Sequence, residues 1–200
     1  MPVVEFTTPN DFFKAKVENA ALGLQVDLNT DLEFYLVNLL CEFIQPQNLR
    51  IGDMNLLDTP LALIYKQALE SPPQMQVKVY KKLGDISLYV AGYFQASLSR
   101  KTVGRSYYIS MGSSAYQKMS NIMKSRHREV HFTQMYRSLS QEFKTLVAII
   151  TKVSEDLPRE NENLYALYEN CYQHSEDFRN LVEPESESFE QQIQQIKKVQ

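Results

Sequence analysis

Two hundred residues with a formal net charge of −3 amount to about one domain, long enough to bury a core without a metal or disulfide staple. A hydrophobic fraction of 44% and a charged fraction of 22% exclude a disordered or collagen-like chain. Six glycines and no tryptophan argue against a many-turned β-sandwich and against a Gly-rich phosphate loop.

Helical periodicity runs through nearly the whole chain. The first predicted helix spans Asn10 to Leu22, with Asn10 as cap, Phe13, Val17 and Ala20 as its apolar stripe, and Gly23 at the C′ position. The second opens on a capping box, Thr30-Asp31-Leu32-Glu33, and runs to about Ile44 before Pro46. A loop from Gln45 to Leu57 follows, and no strand pair with hairpin-turn chemistry is read in the chain. Asp58-Thr59-Pro60 starts a third helix that ends near Ser71. Pro72-Pro73 breaks it and opens a fourth, Gln74 to Arg100, in which Gly84, Ser87, Ala91, Gly92 and Ala96 allow close approach of a neighbour. A fifth covers Ser106 to Lys124.

The sixth predicted helix carries the clearest pattern. Phe132, Tyr136, Leu139, Phe143, Leu146, Ile150, Val153 and Leu157 alternate spacings of four and three, a heptad seam closed by Pro158. Leu146 and Ile150, in mid-seam, are expected among the most buried residues. The seventh helix uses Leu164, Tyr168, Cys171, Ser175, Phe178 and Val182. In the tail, Phe189, Ile193, Ile196 and Val199 share one helical face, with acids before them and Lys197 and Lys198 near the end. The expectation is an all-α fold: a single helical bundle of about seven helices over 1–183, with a C-terminal amphipathic helical tail over 184–200.

The stretch KLGDISLYVAGYFQASLSRKTVGRSYYISMGSSAY, residues 82–116, resembles segments of an uncharacterised family of bacterial all-helical proteins. The resemblance implies a bacterial origin and a helical fold; it carries no activity, ligand or catalytic residue.

Charge is unevenly spread. Residues 1–85 hold 7 basic and 11 acidic side chains, and residues 129–200 hold 7 and 13. Between them, residues 86–128 hold 7 basic side chains and no carboxylate. Arg100, Lys101 and Arg105 fall in one interhelical loop and Lys124, Arg126 and Arg128 in the next, so both clusters read as binding sites for an acidic partner or anionic ligand. They lie about 30 Å apart along the fifth helix, too far for one phosphate pocket. A pI near 5.7 disfavours nonspecific nucleic-acid binding. Two plainer readings compete: burial of the fourth and fifth helices, which leaves little room for any charge, and pairing with the acidic C-terminal region.

Catalytic and metal patterns are weak. GxGxxG, P-loop, GxSxG, HExxH and CxxC motifs are absent. His127 and His131 share a face at i and i+4, but two arginines flank His127. Cys171 and His174 would lie roughly 22 Å away along the antiparallel neighbour, so the four residues do not close on one metal. No Glu-x-x-His pair supports a di-iron bundle. No metal and no cofactor are expected. The small residues of Met111-Gly112-Ser113-Ser114-Ala115 read as a packing notch.

Two functional readings follow. One is a non-enzymatic interaction or regulatory protein whose partner is another protein met through the basic loops, with self-association open through the sixth helix or the tail. The alternative is a small-ligand-binding or enzymatic bundle whose pocket is lined by Tyr107, Tyr108, Gly112, Ser113 and Tyr116. No apolar run reaches the roughly 18 residues of a membrane span, and MPVVEFTTPNDFF is not a secretory signal. Cys41 and Cys171, far apart and without an export signal, read as reduced, buried thiols of a cytoplasmic protein.

Overall fold

The computed structural model describes residues 8–43, 50–51, 54–55, 59–98, 104–126 and 130–157. They form an all-α bundle. The predicted seventh helix, the tail, and with them Cys171 and His174, lie outside the described residues.

Helix α1 (Pro9–Gly23) starts earlier than predicted, because Thr8 rather than Asn10 caps it. The Thr8 hydroxyl accepts from the Asp11 backbone N–H at 3.2 Å and donates to the Asp11 carboxylate at 2.8 Å. Pro9 then takes the first helical position, where a missing N–H costs nothing. The helix ends in a Schellman motif. The Val26 N–H donates to the Ala21 carbonyl at 2.9 Å and the Gln25 N–H to the Leu22 carbonyl at 3.0 Å. The left-handed C′ residue is therefore Gln25, at φ 57°, and not Gly23. A side chain in that conformation is strained, so Gln25→Gly is expected to stabilise the fold by about 0.5–1 kcal/mol. A denaturant midpoint that falls in the variant would contradict the cap.

Helix α2 (Thr30–Phe43) is capped one residue before its predicted box: the Asn29 side chain accepts from the Asp31 N–H at 2.7 Å. Beyond it, β1 (Arg50–Ile51) pairs antiparallel with β2 (Met54–Asn55), so the predicted loop contains a minimal hairpin. The pair between the strands is Gly52-Asp53, a Gly-first dipeptide of the kind that marks two-residue hairpins. With strands this short the alternation that normally announces a hairpin is missing.

Helix α3 (Leu61–Glu70) leads through Pro72 into α4 (Pro73–Tyr93). The predicted fourth helix stops early: a turn at Phe94 separates α4 from α5 (Gln95–Leu98). Tyr89, Tyr93 and Phe94 crowd this break, with ring centroids 5.1–5.7 Å apart. Every residue of α4 from Leu83 to Gly92 is buried, against α3, α6 and α8. Burial on all sides gives a packing reason for the absence of carboxylates from Ile86 to Gly92.

Helix α6 (Arg105–Ser125) runs antiparallel to α4, since Gly84 faces Tyr116 while Ser87, further along, faces Gly112. The glycines of both helices are filled notches. A methyl at Gly84 would overlap the Tyr116 ring, one at Gly112 the Phe143 ring, and one at Gly92 would lie 2.6 Å from Ile150. The heptad seam is shared by α7 (Val130–Gln141) and α8 (Phe143–Glu155), divided by a turn at Glu142. Hydrogen bonds from Glu142 N to Ser138 O and from Leu146 N to Glu142 O bridge the turn, so the apolar register survives it. From Tyr136 to Leu157 every seam position is buried, Leu146 and Ile150 completely. Phe132, the first, is 46% exposed.

Candidate functional site: a buried carboxylate cluster

Asp85 sits on α4 among Leu83, Ile86 and Leu88 and is 0% exposed. A buried carboxylate is costly unless its oxygens are matched by donors. Three side chains do this. On Oδ1, the Tyr35 hydroxyl of α2 donates at 2.5 Å and the Tyr116 hydroxyl of α6 at 2.7 Å. On Oδ2, the Lys81 ammonium, one turn earlier on α4, donates at 2.6 Å. Tyr136 of α7 completes the group: its ring centroid lies 5.9 Å from those of both Tyr35 and Tyr116. Four helices therefore meet around one carboxylate.

The cluster opens to solvent through Lys81, whose side chain is 40% exposed. Its Nζ also lies 5.6 Å from the centroid of the Tyr35 ring, within cation–π range. Burial works to lower the Lys81 pKa, but the carboxylates of Asp85 and Glu42 outweigh it and the net shift is upward. Burial, and then the Asp85 charge, push the phenols of Tyr35 and Tyr116 well above their usual range. Burial likewise raises Tyr136. Both carboxylate oxygens are thus occupied by donors of the same chain. Chemically the arrangement holds protons in place and ties helices together.

The shifts set a pH dependence. An unfolded tyrosine loses its proton near pH 10, before the buried one does, so the stability held by Tyr35 and Tyr116 is full below that pH and declines above it. Lys81 has the same sign: its raised value gives stability that is present below the unfolded lysine pKa and lost as pH climbs through the folded one. Unfolding free energy should fall above pH 10 by about 1.4 kcal/mol per pH unit for each buried tyrosine. Urea titrations at pH 9, 10 and 11 test this, and Tyr116→Phe should flatten the slope by one group. An unchanged slope would mean that Tyr116 titrates freely in the folded chain.

Sequence reasoning missed this site, although a local signal exists. Lys81 and Asp85 stand at i and i+4, and Asp85 interrupts an apolar run as the last acid before the carboxylate-free stretch. Tyr35 and Tyr116 have no such mark, being 50 and 31 residues away from Asp85.

The residues singled out from the sequence are dispersed. Arg100, Lys101 and Arg128, like His127, lie outside the described residues. Arg105 is not an exposed loop residue: it opens α6, is half-buried, and donates from Nη2 to the Thr151 hydroxyl of α8 at 2.7 Å. Its pKa is lowered by burial, against the opposing pull of Glu155. Lys124 and Arg126 are exposed at the C-terminal end of α6, where cations suit the helix dipole. Tyr107 and Tyr108 are half-buried against the core, edge to face at 6.0 Å. Gly112 is filled by Phe143, and Tyr116 belongs to the Asp85 cluster. The backbone carbonyl of Ser113 accepts from the Ser140 hydroxyl of α7 at 2.8 Å. The positions proposed to line a pocket are thus taken up by packing and internal bonds, because the notch that the small residues create admits aromatic rings from α6 and α8.

His131 is exposed and lies 3.7 Å from the Asp31 carboxylate. Among the described residues no group of three or more His, Cys, Asp or Glu side chains is placed to hold a metal ion. Among them, too, no helix is long and apolar enough to cross a membrane. Compared with known proteins, the chain matches no family model, no curated protein and no solved structure.

Proposed function

We propose that this chain is a non-enzymatic helical interaction protein of the bacterial cytoplasm that binds an acidic protein partner through the end of the bundle where α6 passes into α7. The observation that carries the reading is the surface at that end. Lys124 and Arg126 are exposed and, among the described residues, form no ion pair, while Val130 and Phe132 beside them in sequence are 69% and 46% exposed. An apolar centre with a charged rim is the usual make-up of a protein-binding patch. The close-packed glycines of α4 and α6 weigh against the alternative of a ligand cavity beside Gly112.

The test is a charge reversal at exposed positions. Lys124→Glu with Arg126→Glu should leave the melting temperature unchanged, since surface substitutions cost within about 0.5 kcal/mol. It should also remove an acidic partner captured by the wild-type chain at low salt. Retention of that partner by the variant would place binding elsewhere.

A further inference from the structure

We propose that the Asp85 cluster is also a redox site, at which an outer-sphere one-electron oxidant takes an electron from Tyr35 while the phenolic proton passes to Asp85.

A phenol gives up an electron with difficulty while it keeps its proton, because the radical cation is a very strong acid. Easy oxidation therefore needs a base already bonded to the O–H. Tyr35 has one: its hydroxyl donates to Oδ1 of Asp85 at 2.5 Å, the short end of the range for an O–H bonded to a carboxylate. Lys81 holds the other oxygen, Oδ2, at 2.6 Å and so leaves Oδ1 to the phenols. Burial, and then the Asp85 charge, keep Tyr35 protonated well above its usual range, so phenolate is not the species oxidised and the proton must move with the electron.

The step balances within the cluster. The oxidant is reduced by one electron drawn from the Tyr35 ring. The Tyr35 O–H bond breaks and an O–H bond forms on Oδ1 of Asp85, which leaves a neutral tyrosyl radical facing a neutral carboxylic acid. No proton enters or leaves the protein. A one-electron reductant reverses the step, and the proton returns along the same hydrogen bond.

The surroundings suit a stored radical. The rings of Tyr35, Tyr116 and Tyr136 have centroids 6.0, 5.9 and 5.9 Å apart in their three pairs, close enough for the unpaired electron to exchange among them. Tyr116 and Tyr136 are buried, so a radical there is shielded from coupling with one on a second chain. Tyr35 is the half-buried member, and its ring centroid lies 5.6 Å from the Nζ of the partly exposed Lys81, so the electron leaves on this side.

The experiment oxidises the full chain with photogenerated ruthenium(III) tris(bipyridine) and follows tyrosyl radical by electron paramagnetic resonance and transient absorbance. Beside short-lived radicals on other tyrosines, the wild type should show a component whose decay does not quicken with protein concentration. That component should form at the same rate from pH 6 to pH 8, because its proton goes to an internal base, and should form more slowly in heavy water. Tyr35→Phe should cut its yield several-fold, and Tyr35→Phe with Tyr116→Phe should abolish it. Tyr35→Phe alone leaves Asp85 bonded to Tyr116 and Lys81, so the fold keeps its tie. Tyr107→Phe with Tyr108→Phe should leave the component intact. Asp85→Asn keeps an acceptor but removes the base, and should slow its formation several-fold. Formation as fast in Asp85→Asn as in the wild type, or a component untouched by Tyr35→Phe with Tyr116→Phe, would overturn the proposal. So would a wild-type radical that decays faster as the protein is concentrated. No partner takes part, so the result is independent of the charge-reversal test at Lys124 and Arg126.

Discussion

Asp85→Ala is expected to destabilise the protein by about 3–5 kcal/mol, the loss typical of breaking a buried hydrogen-bonded ion pair. Two contributions stand behind the figure. The Tyr116 hydroxyl, on a fully buried residue, is left without an acceptor, at about 1–3 kcal/mol, and the half-buried Tyr35 hydroxyl loses the same partner. The vacated volume adds a cavity cost. Lys81 contributes less, since its side chain is 40% exposed and its ammonium can rehydrate. Asp85→Asn should cost less than alanine, because the amide oxygen still accepts from both tyrosines. A triple replacement, Asp85→Leu with Tyr35→Phe and Tyr116→Phe, should return close to wild-type stability, as apolar replacements of buried ion pairs often do. Urea denaturation of the three variants decides the matter. An Asp85→Ala chain within about 0.5 kcal/mol of the wild type would show that the cluster is solvated.

The comparison bears on what the cluster is for. If the apolar triple variant is as stable as the wild type, stability alone does not require Asp85. Its remaining role is to fix which faces of α2, α4, α6 and α7 meet, because a carboxylate accepts donors from few directions while leucine packs in many arrangements. Loss of amide dispersion in the NMR spectrum of the triple variant, at unchanged helicity, is the expected mark of that role.

Leu146→Ala is expected to cost about 2–5 kcal/mol. Leu146 is fully buried in the middle of the α7–α8 seam, and its neighbours cannot close in easily. Ile150 one turn away is locked into the Gly92 notch, and Phe143 one turn before it into the Gly112 notch. A site whose walls are held from both sides relaxes little, which places the cost toward the upper end. Phe132→Ala, on the same seam but at a position 46% exposed, should stay within about 0.5 kcal/mol. A Leu146→Ala loss of that same small size would mean that the seam faces water.

The amino-acid sequence by itself determined what depends on local chemistry. Period-3.6 stripes, the Pro72-Pro73 break and the absence of sustained alternation were enough for an all-α bundle. The seam from Tyr136 to Leu157 was legible because every rung is apolar, and the small residues at 84, 92 and 112 announced close approach. What only the tertiary structure decided depends on pairs far apart in the chain. Arg105 reads as a loop charge until Thr151, 46 residues away, takes its guanidinium. Choices among equivalent local residues were also undecidable: Thr8 over Asn10 as a cap, Gln25 over Gly23 in the left-handed position. Asp85 is the extreme case. Its cost is visible in one helix, but the tyrosines that offset it come from two others, and no periodicity records them. A hydrogen bond between distant helices is specified by where their backbones pack, and that packing is decided by apolar burial across the whole bundle rather than by any segment of the chain.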